Sequence, residues 1–152
     1  MRPQVLQRTQ ILPIPLAVAW NFFSDPRNLP EITPPDLGFR IVSAVPEQMY
    51  AGMVVSYTVT PFGGFSVDWT TEITHVREPT FFVDEQRFGP YRFWHHQHLF
   101  RAVEQGAEMV DLVHYLLPFP PFGQLSVGYV HRRLERIFDF RREALNRRFG
   151  TV

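Results

Sequence analysis

In residues 81–100, FFVDEQRFGPYRFWHHQHLF, four side chains have the types and spacing to do chemistry. Trp94, His96, His98 and Phe100 recur at every second position, and side chains two apart in a strand share a face. Two imidazoles are thus set between large rings. A fully apolar core would have to satisfy both nitrogens of each imidazole, and a solvent face seldom gathers such rings. The pattern points to the wall of a partly polar internal cavity. Imidazole changes charge near neutral pH, so a carboxylate beside it would make a general base or acid. The same groups could orient the polar end of an otherwise apolar ligand. The plainer alternative is a hydrogen-bonded network within a wide core, because a buried polar group without a partner costs about 1–3 kcal/mol.

The carboxylate that an adjoining strand can bring to the same face is Asp111. A hairpin turning at Gln105-Gly106 pairs Phe100 with Asp111, His98 with Val113 and His96 with Tyr115. Cross-strand partners share a face, so Trp94, His96, His98, Phe100, Asp111, Val113 and Tyr115 form one patch. Arg101, Glu108 and His114 fall on the other face, and a slip of one residue would invert the assignment. His96, His98 and Asp111 then form a nitrogen/oxygen triad of the kind that can hold a metal ion. Asp84 and Glu85 are adjacent in a strand and point to opposite faces, which excludes a two-carboxylate acid/base pair. Apolarity alone turns Phe81 and Val83 inward. His75, His95, His114 and His131 read as surface or rim residues.

These side chains need a curved sheet to hold them. Gln4–Leu12 reads as a first strand stopped by Pro13-Ile14-Pro15, and Pro15 can open a helix that carries Leu16, Ala19, Trp20 and Phe23 at helical spacing. Ser24-Asp25-Pro26 begins a second short helix over 27–32, ended by Thr33-Pro34-Pro35. Period-two strands follow over 39–45, 53–60, 65–76, 81–87, 93–103 and 107–117, joined by short turns, which makes an antiparallel meander. Tyr57 and then Trp69 and Thr71 fall on the apolar faces of their strands. From about residue 122 the period returns to 3.6, with Val130, Leu134, Ile137, Phe138, Leu145 and Phe149 in one stripe. A helix of about 26 residues is ~39 Å long and an 11-residue strand ~36 Å, so the helix can lie along the whole concave side of the sheet. The expected fold is α+β, a seven-stranded curved antiparallel sheet around a long C-terminal helix, with residues 1–152 as one domain.

Composition removes much chemistry. The chain has no cysteine and, among its 15 basic residues, no lysine. Thiolate nucleophiles, cysteine metal sites, Schiff bases and the P-loop lysine are therefore excluded. Fifteen basic residues balance 15 acidic ones, so nothing global steers the chain toward nucleic acid or an anionic bilayer. No signal peptide precedes Gln4-Val5-Leu6, and no apolar run could span a bilayer; a cytoplasmic protein, monomer or homodimer, without cofactor or stable membrane insertion, is expected. The terminal helix carries Arg132, Arg133, Arg136, Arg141, Arg142, Arg147 and Arg148 against Glu135, Asp139 and Glu143, which reads as a solvated face.

Successive meander turns alternate between the two ends of a sheet. Pro61-Phe62-Gly63-Gly64, Phe88-Gly89-Pro90-Tyr91 and the stretch 118–123 thus share one end and carry the aromatic residues. That end reads as the mouth of the cavity or as its plug.

Several segments together resemble the START-like, or SRPBCC, superfamily, in particular its small stand-alone bacterial ligand-binding branch. They are Phe23-Ser24-Asp25-Pro26-Arg27-Asn28-Leu29, Ile32-Thr33-Pro34-Pro35, Trp69-Thr70-Thr71-Glu72-Ile73, residues 81–100, Asp111-Leu112-Val113-His114-Tyr115 and Ile137-Phe138. The resemblance implies a helix-grip fold and turns Phe82, Asp84 and Gln86 inward, against the apolarity reading. It implies a hydrophobic small-molecule ligand, lipid-like, aromatic or polyketide-like, with Tyr57, Trp69, Thr71, Trp94, His96, His98, Phe100, Asp111, Tyr115 and Phe138 around it. The alternatives are a cyclase or dehydratase using His96 or His98 with Asp111, and a protein-interaction module docking through the arginine-rich helix or the phenylalanine loops.

Overall fold

The computed structural model describes residues 2–62, 64–118 and 123–152. Strand β1 (Gln4–Leu12) is followed by helix α1 (Leu16–Phe23), whose N-terminal flank is the extended Pro15. The second short helix is a 3-10 turn over Pro26–Ile32, with a further one at Pro35–Leu37. Pro30, inside the turn, lacks the amide donor that an α-helix there would use, and Asp25 Oδ1 accepts from the Arg27 amide at 3.0 Å to start the turn.

Strands β2 (Arg40–Ile41), β3 (Met53–Phe62), β4 (Phe65–Arg77), β5 (Phe81–Phe88), β6 (Phe93–Val103) and β7 (Gly106–Leu116) complete a seven-stranded sheet in the order β1-β7-β6-β5-β4-β3-β2. Every neighbouring pair is antiparallel. The expected strand over 39–45 shrinks to two residues. The Val42 and Ser43 amides both donate to the Ser56 carbonyl, at 2.9 and 3.3 Å, so the ladder ends there. A short edge strand offers little to a foreign strand. Helix α2 (Gly123–Phe149) lies against the concave face, burying Val130, Leu134, Phe138, Ala144 and Leu145. This is the helix-grip arrangement. Among the described residues no helix is long and apolar enough to cross a membrane.

The β6–β7 register differs from the expected one by two residues. Val103 pairs with Gly106, so His98 faces Asp111, Phe100 faces Met109, His96 faces Val113 and Trp94 faces Tyr115. Gly106 explains the difference: with φ +139°, a Cβ there would lie 2.1 Å from the Leu12 carbonyl oxygen. Only glycine fits where β7 begins against the end of β1, and the turn therefore closes ahead of it at Glu104-Gln105. An even shift keeps every side chain on its face. It changes the partners, and it places a carboxylate directly across from His98.

Two ring-rich clusters pack between the sheet and the helices. One gathers Leu12, Trp20, Phe22, Phe23, Phe82, Phe100 and Leu145; the other gathers Trp69, Trp94, Val113, Tyr115, Leu134 and Phe138. His98 stacks on Phe82 of the first at 4.0 Å, and His96 lies edge-on to Phe138 of the second at 5.9 Å. The two imidazoles bridge the clusters.

Candidate functional site: a chamber with a charged wall

A cavity of about 200 Å³ lies between the sheet and α2. A single water-sized sphere needs only about 10–15 Å³, so the interior is not packed solid. Of the ten side chains expected around a ligand, Tyr57, Trp69, Thr71, Trp94, His96, His98 and Phe138 stand at its wall. Phe100, Asp111 and Tyr115 share the concave face but do not reach the cavity. Phe100 is covered by Trp20 and Phe23 of α1, with ring centroids at 5.8 and 5.5 Å. The Tyr115 hydroxyl is tied to His131 Nδ1 at 2.9 Å, which gives His131 a structural role beyond the rim position expected for it. Asp111 sits behind the imidazoles under Arg141.

The wall is apolar except in a few places. Thr71 Oγ1 accepts from the Trp69 indole N–H at 3.0 Å and shares a proton with the Tyr57 hydroxyl at 2.9 Å. Burial, reinforced by the charge of Asp84, pushes the Tyr57 hydroxyl pKa up, so it stays neutral.

Five titratable side chains form a compact set, four at the wall and Asp111 behind it. His96 Nε2 donates to Asp111 Oδ1 at 2.8 Å, and His98 Nε2 donates to Asp84 Oδ2 at 2.6 Å. Each imidazole turns its other nitrogen to the opposite carboxylate: His96 Nδ1 is 3.5 Å from Asp84 Oδ2, and His98 Nδ1 is 3.4 Å from Asp111 Oδ1. The two rings stack with centroids 3.7 Å apart. Arg141 Nη1 donates to Asp111 Oδ1 at 2.8 Å, and its guanidinium lies over the Phe138 ring at 5.1 Å.

Burial would raise the carboxyl pKa values, but the cationic neighbours prevail. Asp111 is held well below the usual carboxylate range by Arg141 and the two imidazoles, and Asp84 is lowered by His96 and His98. Stacked imidazoles cannot both be charged at such a separation. Burial and the neighbouring His98 lower His96; for His98 the hydrogen bonds to Asp111 and Asp84 outweigh burial, and its pKa rises. With His98 protonated and His96 neutral, two anions meet two cations and the set is neutral. This satisfies the rule that buried charges are paired.

Asp84, Arg133 and Arg141 stand at the wall but were not among the ten side chains expected around a ligand. Asp84 turns inward, as the family resemblance implies, while Gln86 does not line the cavity: its side chain holds the Tyr91 backbone N and O at 3.1 and 2.6 Å. Arg141 was read as part of a solvated face, yet its side chain is only 12 % exposed and turns onto Asp111. The signal was present, because 134, 138, 141 and 145 follow helical spacing on one face. Arg133 also lines the cavity; among the described residues its Nε is buried without a hydrogen-bond partner, and the exposed Asp36 carboxylate is 3.9 Å from its guanidinium.

At the aromatic end, Pro61 and Tyr91 line the cavity, whereas Phe88 is 74 % exposed. Phe119 and Phe122 of the third loop, and the side chain of Phe62, lie outside the described residues.

A family model described as polyketide cyclase/dehydrase and lipid transport matches residues 12–140. No curated protein matches the chain. Among solved structures it is similar to a Chromobacterium violaceum protein with a TM-score of 0.73 at 12% identity, covering 99% of this chain and 100% of that one. A Mycobacterium smegmatis protein gives 0.68 at 19% identity over 93% and 88% of the two chains. A Thermus thermophilus protein gives 0.68 at 16% identity over 96% and 97%. At such identities the likeness concerns the fold.

Proposed function

Since the chain belongs to the START-like (SRPBCC) polyketide cyclase/dehydrase and lipid-transport family, we propose that it binds or carries a hydrophobic small molecule in the chamber under α2. The observation that supports this best is an open, mostly apolar cavity whose wall ends in the His96/His98/Asp84 set. An apolar body would fill the space between Trp69, Trp94 and Leu134, and a hydroxyl or carbonyl would be oriented by the imidazoles. Arg133 adds a second polar point. It precedes Arg141 by eight residues, about 12 Å along a helix axis. A ligand with an anionic group at one end and a hydrogen-bonding group about that far away matches both.

Two dyes that differ mainly in charge test this reading: the anionic 1-anilinonaphthalene-8-sulfonate and the neutral N-phenyl-1-naphthylamine. Both are expected to bind with one-to-one stoichiometry and to be displaced by ligand recovered from protein purified without detergent. Arg133→Gln should weaken the sulfonate about tenfold or more, the worth of a charge-assisted hydrogen bond, and leave the neutral dye unchanged. Saturable binding of neither dye would defeat the proposal, and equal weakening of both would remove Arg133 from it.

A second reading, cyclisation with loss of water, is favoured by one feature: two imidazoles oriented by carboxylates at a cavity wall. One imidazole would take a proton from a carbon between two carbonyls. The resulting enolate carbon would attack a distant carbonyl and the new alkoxide would take that proton back as a hydroxyl; one imidazole would then remove the second proton from the same carbon while the other protonates the departing hydroxyl, which leaves as water. Incubation with a linear 1,3,5,7-tetraketone, whose first inter-carbonyl methylene can close a six-membered ring on the far carbonyl, followed by mass spectrometry, should show loss of one water faster than in buffer, and His98→Gln should abolish the difference. A rate equal to that in buffer would leave binding alone.

A further inference from the structure

We propose that Asp84, His96 and His98 form a binding site for a first-row divalent cation at the charged end of the chamber. The donor atoms of these three side chains all lie within 4.8 Å of one another. His98 Nε2 and His96 Nδ1 both face the same oxygen, Asp84 Oδ2, at 2.6 and 3.5 Å. A cation with bonds of about 2.1 Å holds its donors roughly 3.0–3.4 Å apart. Small tilts of two rings that already face one carboxylate bring the three atoms to that spacing. Two imidazoles and one carboxylate suit zinc, iron, cobalt or manganese, and not the all-oxygen shells of calcium or magnesium.

The opposite side of the imidazole pair is what makes this a built site. Asp111 Oδ1 accepts from His96 Nε2 at 2.8 Å and lies 3.4 Å from His98 Nδ1. A carboxylate behind each ring fixes the tautomer and leaves the other nitrogen's lone pair for a cation. Arg141 occupies Asp111 at 2.8 Å, so positive charge is already supplied there and a second cation would be repelled. Among the described residues no guanidinium is hydrogen-bonded to Asp84; the Arg141 charge reaches it only at longer range, and its direct partners are the two imidazoles. The asymmetry selects the Asp84 side. That side also opens on the cavity, whose wall includes Asp84, His96 and His98 but not Asp111.

The remaining coordination positions point into the chamber. With both imidazoles neutral, the two carboxylates, Arg141 and a divalent ion leave one positive charge. An enolate or carboxylate oxygen on the bound molecule would cancel it. In this respect alone the inference rests on the chamber's being a ligand site; the cation site itself is tested without any organic ligand.

The experiment is titration of chelator-treated protein with Zn2+ by calorimetry and with Co2+ by visible absorption. One ion per chain is expected, with a Co2+ d–d spectrum. In the parent protein, paramagnetic shifts should fall on the ring protons of His96 and His98, which requires no variant. Asp84→Asn and His98→Gln should abolish stoichiometric binding. Asp111→Asn should weaken it about 10–100-fold, the usual effect of losing a group behind a metal-bound imidazole. His95→Gln, on the opposite face of the same strand, should change nothing. Lack of one-to-one binding, cobalt shifts confined to other histidines, or binding that survives Asp84→Asn and is lost in His95→Gln would overturn the site. Because these readouts do not involve the dyes, failure here leaves hydrophobic binding standing, and failure of the dyes leaves the metal titration interpretable.

Discussion

Arg141→Met is expected to destabilise the fold by about 3–5 kcal/mol, the loss typical of removing one partner from a buried ion pair. Methionine can follow the aliphatic stem over Phe138, so packing changes little. What remains is Asp111, 2 % exposed, with only two imidazoles to balance two carboxylates. The cost is that of an unpaired buried charge, and it should be read by urea unfolding of chelator-treated protein. Asp111→Asn combined with Arg141→Met should cost clearly less than the two single changes together, because the double variant strands no charge. Arg101→Met is the contrast. That guanidinium also binds a carboxylate, Glu108, but its side chain is 70% exposed, and its loss should cost less than about 1 kcal/mol. If Arg141→Met unfolds within about 1 kcal/mol of the parent, the five charged groups do not form the compensated set described above.

Val55→Phe should separate a hollow interior from a filled one. Val55 is buried and forms part of the cavity wall. In a close-packed core, added ring volume forces strained rotamers and costs about 1–3 kcal/mol. Next to about 200 Å³ of open space, the ring can turn into the chamber instead, and stability should stay level or rise. The same ring would occupy the ligand's volume, so affinity for both naphthyl dyes should fall at least about tenfold, roughly 1.4 kcal/mol. Destabilisation with unchanged dye binding would place the dyes elsewhere on the molecule.

Much of this fold was legible in the periodicity. Trp69, Thr71 and Ile73 alternate with Asp68, Thr70 and Glu72, and they fall on the cavity and outer faces as period two requires. The β6–β7 partners were less legible, because a turn at 104–105 and one at 105–106 differ by an even shift and put the same residues on the same face. Only the contact of Gly106 with the β1 carbonyl decides between them, and that contact is tertiary. Likewise β2 reads as a full strand by alternation, but two amides competing for the Ser56 carbonyl end it early.

The charged set was half visible. His96 and His98 announce themselves by spacing, and Asp111 by lying on the paired strand. Asp84 was harder to place because a bulge between Ile73 and His75 shifts the β4–β5 register, and both Phe82 and Val83 end up buried. No simple alternation survives that shift. Arg141 was hidden by its neighbours: in a helix so rich in arginine, a single guanidinium turned inward looks like part of the solvated face until the 134, 138, 141, 145 row is traced.

The placement of the tryptophans turns the protein into its own optical gauge. Trp69 and Trp94 sit at the chamber wall with ring centroids 5.2 Å apart and planes 86° to each other, while Trp20 is locked among Phe82 and Phe100 away from it. Neighbouring indoles held so close and so crossed couple their electronic transitions, and the coupling follows small changes in their angle. A guest entering the chamber touches both members of that pair and neither face of the third, so its arrival is written into the near-ultraviolet circular dichroism against a built-in constant background.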